Sequence, residues 1–264
     1  MYTVAIYNFK GGAGKSTVTT HLAAGLALTG KKVLVVDTDP QGHASLLFGI
    51  TPQPKLYDWV VRPDSTQFKD AAILVPPEQY TPAGLKSKNS GMVAVIPGND
   101  ETSFIPLKVR NPKIMRQRLS AVEKLFDVCL IDTPPTPTLL SVLTYVASDG
   151  VLYPTMCVDL HIDGLVRAIE AREEAAAIRA SMGLPDIDII GIQPCIYRKK
   201  TLEHEEYLTW LKKEYTDVWS PISQSVLWEE AARARQPVFM YAPETGAAKQ
   251  AWHMVKTFHE RVVV

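Results

Sequence analysis

Cysteine is scarce in this chain. Its 264 residues include three, Cys129, Cys157 and Cys195. They lie far apart in apolar stretches, which predicts buried free thiols in a reducing compartment. No Cys-x-x-Cys or His-x-His spacing offers a metal centre. No apolar run is long enough to span a bilayer, and no charged-then-apolar leader opens the chain. The expectation is a cytoplasmic protein that makes no membrane contact. Surplus charge is also missing: 28 Lys and Arg balance 28 Asp and Glu. Any hold on nucleic acid must therefore come from a local basic patch. What is present, 46% hydrophobic and 21% charged residues, suits a single large α/β domain over 1–264 with a full core. The first apolar run begins almost at Met1, leaving no room for a DNA-reading helix-turn-helix ahead of it.

The most informative stretch is Phe9-Lys10-Gly11-Gly12-Ala13-Gly14-Lys15-Ser16-Thr17. It follows an apolar run, Tyr2 to Tyr7, with the character of a buried strand, and leads into a predicted helix over Val18 to Leu28. A phosphate-binding loop requires that strand–loop–helix setting. The pattern is a variant of Gly-x-x-x-x-Gly-Lys-[Ser/Thr], with Phe9 at the first glycine position. Glycines at 11, 12 and 14 let the backbone approach an anion and turn its N–H groups inward, toward the positive end of the next helix. Lys15 would reach the β- and γ-phosphates of a nucleotide, the Ser16 hydroxyl would hold Mg²⁺, and Thr17 would meet the α-phosphate. Lys10 is a second lysine in the loop. It either reaches phosphates bound by a second subunit or lies solvated at the surface.

Two more strands end in acids. Val33 to Val36 is a wholly apolar, β-branched run, as in a central parallel strand covered on both faces. It runs into Asp37-Thr38-Asp39-Pro40. A strand from Asp127 closes on Asp132-Thr133-Pro134-Pro135. Ligands of such sheets collect at the carboxyl ends of the strands, and an acid at Asp132 would hold Mg²⁺. Further strands are predicted at Met92 to Ile96, Gly150 to Pro154 and Ile187 to Ile192. Helices are predicted at Tyr57 to Val61, Pro112 to Leu125, Thr138 to Ala147, Asp163 to Met182, Glu203 to Tyr215, Ser225 to Ala234 and Thr245 to Glu260. In the Pro112–Leu125 helix, Lys113, Arg116 and Arg118 are expected to form a solvated face. Lys86 to Gly91 has turn composition. The fold class is a P-loop α/β fold, an open, mostly parallel sheet with helices on both faces.

Lys10-Gly-Gly-Ala-Gly-Lys15-Ser-Thr, Val33-Leu-Val-Val-Asp37-Thr-Asp39-Pro-Gln-Gly and Leu130-Ile-Asp132-Thr-Pro-Pro together resemble the deviant Walker-box ATPases of the ParA/MinD group. Within it, the likeness is to the ParA-type partition ATPases and is weakest between about Tyr57 and Ser90. The resemblance implies ATP and Mg²⁺ as ligands, and slow hydrolysis within a homodimer that sandwiches the nucleotide. It implies that Lys10 acts across that dimer, that Asp39 supports the attacking water, and that Asp37 belongs to the Mg²⁺ shell or its hydrogen bonding. It also implies that Gln193 and the loop at Pro221 lie near the base. His43 stands where the family has Asn.

The function implied is DNA partition, in plasmid or chromosome segregation. The ATP dimer would bind DNA non-specifically and associate with the nucleoid, and a ParB-like or other adaptor protein would trigger hydrolysis and release. Arg198, Lys199, Lys200, Arg233, Arg235 and Lys249 are the candidate DNA contacts. A cargo- or organelle-positioning role is the alternative. A membrane-cycling role like that of MinD fits less well, because the chain ends in His259-Glu-Arg-Val-Val-Val264 with little positive charge.

Overall fold

The computed structural model describes residues 1–83 and 91–262. The turn expected over Lys86 to Gly91 lies, except for Gly91, outside them, as do the last two valines of the C-terminal end.

Seven strands form one sheet in the order β3-β4-β2-β5-β1-β6-β7. They are β1 (Tyr2–Ile6), β2 (Lys32–Asp37), β3 (Ile73–Leu74), β4 (Met92–Ile96), β5 (Val128–Asp132), β6 (Gly150–Met156) and β7 (Asp188–Cys195). All pairings are parallel except that of β3, a two-residue antiparallel edge. So short a strand has no periodicity to read, and β3 was not expected.

The central strands are buried on both faces, and successive side chains go to opposite sides. Val33 and Val35 join one core with Val4, Ile6 and Leu130. Helices α1 (Lys15–Leu28), α10 (Val226–Arg233), α11 (Val238–Tyr241) and α12 (Gly246–Val262) cover that face. Ala248, Val255 and Phe258 of α12 are buried there as a stripe at helical spacing, with Trp252 packed against that core. Leu34, Val36 and Ile131 face the other side. Under that half of the sheet lie α3 (Lys55–Val61), α5 (Ile105–Lys108), α6 (Ile114–Ser120) and α7 (Leu139–Ala147). Ala5, Tyr7 and Tyr153 meet α8 (Asp159–Ser181) and α9 (Leu202–Glu214). The short α2 (His43–Leu47) and α4 (Phe68–Ala71) complete the described helices. The three cysteines are buried and free.

Helix α6 stops at Ser120, short of the expected Leu125, and its basic residues are not a solvated face. Lys113 Nζ donates to Met182 O at 2.9 Å, Arg116 Nη1 to Asp149 Oδ1 at 3.1 Å, and Arg118 Nε to Trp59 O at 2.7 Å. Long side chains laid along the surface satisfy carbonyls that helix ends leave open. Arg179 of α8 does the same from full burial, donating to Tyr145 O and Val146 O, each at 2.9 Å, and to Ser148 O at 2.6 Å. It thereby closes the end of α7.

Candidate nucleotide-binding site

The glycine loop leaves the end of β1, where the strand order switches direction, and is fastened to neighbouring elements. Asn8 Nδ2 donates to Pro154 O at 2.9 Å, Lys10 N to Asn8 Oδ1 at 2.9 Å, and Phe9 N to Gly164 O of α8 at 3.3 Å. Gly164 permits this approach, because a Cβ there would lie 2.6 Å from Asn8 Oδ1. Gly12 and Gly14 take φ of 75° and 92°. Gly11 has no such φ and has open space where a Cβ would sit, so the protein's own backbone does not require glycine there. Helix α1 starts at Lys15 with no side-chain cap at its N-terminus. Its first N–H groups are therefore directed at whatever occupies the loop.

Lys15 is nearly buried, and its Nζ donates to Lys10 O at 3.2 Å. Burial lowers its pKa, against the pull of Asp132 and Asp39. Ser16 Oγ donates to Asp132 Oδ2 at 2.7 Å and Thr19 Oγ1 to Asp132 Oδ1 at 2.9 Å. Asp37 is equally buried; its Oδ2 accepts from Ser45 N at 2.8 Å and Ser45 Oγ at 2.6 Å. Burial raises both carboxyls above their usual range, and the Asp132 charge raises Asp37 further. Asp39 is held by Gln41 N, 3.0 Å from Oδ1, and lies 3.4 Å from His43 Nδ1 through Oδ2.

A cavity of about 670 Å³ is lined by Gly11 through Thr17, Asp39, His43 and Pro135, with Asp37 and Asp132 outside its wall. Lys10 is not in its wall, although its carbonyl accepts from Lys15 Nζ. A smaller cavity of about 210 Å³ adjoins it and shares Gly14, Thr17, Ile196 and Ala232. The smaller cavity is walled by Cys195, Ile222, Gln224 and Trp228 and has the apolar lining a nucleobase requires. Gln193 and Pro221, expected at the base, do not line it. Strand β7 runs on to Cys195, so Gln193 lies inside the strand and spends its Nε2 on Pro194 O and Ser220 O, each at 2.9 Å.

The six basic residues read as DNA contacts separate into two groups. Arg198, Lys199, Lys200 and Lys249 are exposed away from the loop, Arg198 donating to Gln224 Oε1 at 2.6 Å. Arg233 and Arg235 instead line the phosphate-loop cavity. The chain reading missed His161, whose Nε2 lies 3.1 Å from Gly11 O, and His21, a buried residue of the loop helix α1. Neither has a spacing signal, because each partner is brought in by the fold.

Among the described residues, no cluster of three or more His, Cys, Asp or Glu side chains would hold a metal unaided. Ser16 and Asp132 nevertheless offer hard oxygens beside the loop, and the buried acids lack a cation other than Lys15. This donor set fits Mg²⁺ shared with nucleotide oxygens and water.

Comparison with known proteins agrees with this geometry. Residues 1–180 match the family described as the AAA domain. The sporulation initiation inhibitor protein Soj of Bacillus subtilis is 29% identical over 260 residues, covering 93% of each chain. The chromosome partitioning protein ParA of Caulobacter vibrioides is 28% identical over 249 residues, 90% of this chain and 86% of that one. An ATP complex of McdA from Cyanothece superposes with a TM-score of 0.76 at 20% identity, over 100% of this chain and 97% of the other, a likeness of fold. The chain belongs to the AAA-domain family of P-loop ATPases that includes the ParA, Soj and MinD proteins.

Proposed function

We propose that this ATPase partitions DNA, with Mg·ATP closing two copies into a dimer that binds DNA non-specifically and hydrolysis releasing it. The observation carrying this reading is that Lys15 lines the phosphate-loop cavity and Lys10 does not. A second loop cation outside that lining is available to a facing loop. Lys15 and the open N–H groups of α1 hold the phosphates. Asp39, on the cavity wall, orients the attacking water for in-line displacement at the γ-phosphorus, and catalysis rests on positioning and charge neutralisation. Ser16 and Asp132 would hold Mg²⁺, which would supply positive charge against the polyphosphate. Asp37 supports that shell through its bonds to Ser45. Lys199, Lys200 and Lys249 supply DNA phosphate contacts.

The test is DNA co-sedimentation with and without ATP over a salt series. The reading requires binding that depends on ATP and weakens steeply with salt. DNA binding indifferent to ATP, or none at low salt with ATP, rejects partition and leaves the ATPase to position some other cargo.

A further inference from the structure

We infer that Arg235 is a phosphate-binding residue of the nucleotide site, placing a cation from the same chain on the polyphosphate of a bound nucleoside triphosphate. The inference rests on the phosphate-loop reading and adds a wall to it that no loop motif contains.

Helix α10 ends in a Schellman turn, in which Gln236 N donates to Ala231 O and Arg235 N to Ala232 O, each at 3.0 Å. Such a turn puts its next-to-last residue in the left-handed region, where glycine is the usual occupant. Arg235 occupies it, with φ 54°. Among the described residues three non-glycine residues have positive φ: Ile196, Lys200 and Arg235. Ile196 and Arg235 both line the phosphate-loop cavity. Backbone strain of this kind collects where a side chain is needed for a ligand.

The arginine is exposed at the C-terminal end of α10. Among the described residues, no hydrogen bond or ion pair engages the guanidinium of Arg235 or of its neighbour Arg233. Arg116, Arg172 and Arg261, by contrast, each pair with an aspartate. Ala232 lies at the junction of the two cavities, and the chain beyond it passes along the larger one, across from Gly11 to Thr17. An arginine at this point meets phosphate oxygens with a planar, multidentate donor.

The experiment titrates the metal-free and Mg²⁺-supplied protein with fluorescent ATP and ADP analogues and measures the melting temperature of the nucleotide-free form. For Arg235→Gly we expect nucleotide affinity to fall about tenfold or more, the effect of one charge-assisted hydrogen bond. Its melting temperature should hold or rise, because glycine relieves the left-handed strain. Arg235→Lys should keep most of the affinity. A purely structural role, a cation at the negative end of α10, predicts the reverse: a lower melting temperature with unchanged affinity. Unchanged nucleotide affinity in Arg235→Gly overturns the inference, whether or not DNA binding at saturating ATP is lost. Lys15→Ala is the separate control: nucleotide binding that survives it would reject the phosphate loop itself.

Discussion

Asp37 and Asp132 stand opposite each other at the paired ends of β2 and β5, both without solvent exposure. Burial pushes each carboxyl up; the Asp132 charge raises Asp37 further, and the Asp39 charge raises Asp132. A carboxyl raised in the folded state stabilises the fold most while protonated. That contribution is lost as pH climbs from about 4, the unfolded value, toward the raised folded one, at no more than about 1.4 kcal/mol per pH unit for each group. The nucleotide-free protein should therefore lose urea resistance as pH climbs from 5 to 8, Asp132 contributing to the loss up to about 6 and Asp37 up to about 8. Asp37→Asn or Asp132→Asn should flatten that slope, and Mg²⁺ with nucleotide should flatten it in the wild type. Parallel slopes in wild type and both variants would contradict the account.

Lys10 and Lys15 should separate by assay. Lys15→Ala removes the ammonium inside the cavity and abolishes ATP binding. Lys10→Ala should leave ATP affinity within a few-fold of wild type and prevent dimerisation with ATP. Nucleotide titration followed by size-exclusion chromatography distinguishes them. A Lys10→Ala protein that still dimerises and hydrolyses ATP normally would show that this lysine does not cross to a partner.

Asp39 lies on the cavity wall, held by Gln41 N and facing His43. Asp39→Ala should bind ATP, dimerise and stall, with turnover reduced by roughly two orders of magnitude or more, as when a positioned proton acceptor is lost. Single-turnover hydrolysis and sizing would show a persistent ATP dimer. Wild-type turnover in this variant would remove Asp39 from the chemistry.

The loop and the acids were legible in the chain because each follows an apolar strand, and their chemistry depends on short local spacing. Gly11 to Thr17, Asp39, Asp37 and Asp132 meet at one end of the sheet because parallel strands place their carboxyl ends together. The smaller cavity was not legible. Gln193 looked like the end of its strand, but pairing with β6 extends β7 two residues further, to Cys195. Arg233 and Arg235 were grouped with the other candidate DNA contacts because nothing in the sequence shows that the end of α10 borders the phosphate-loop cavity. Arg116, Arg118 and Arg179 were missed as polar partners for the same reason: Asp149, Trp59 and Tyr145, which accept from them, are 30 or more residues away in sequence.

His21 joins the loop helix to the segment that follows α10. Its Nδ1 lies 2.7 Å from Thr17 O, and its Nε2 lies 2.9 Å from Val238 N, which donates to it. The ring is therefore neutral, with its proton on Nδ1. It packs edge-on to Trp228 and Phe239 at centroid distances of 5.0 and 5.8 Å. Burial holds its pKa down to about 4. A base depressed this way contributes fully above about 6.5 and loses that contribution as pH falls toward 4, to a total of about 3 kcal/mol. His21→Phe keeps the ring contacts and strands Val238 N–H and Thr17 O, which costs about 1–3 kcal/mol for each buried group left unpaired. Urea midpoints should fall at pH 7 and converge on wild type at pH 5, where the wild type has lost part of its advantage. Nucleotide affinity should fall as well, because Val238 lies three residues from Arg235 and Thr17 lies in the loop. Equal losses at both pH values would mean that the imidazole contributes packing alone.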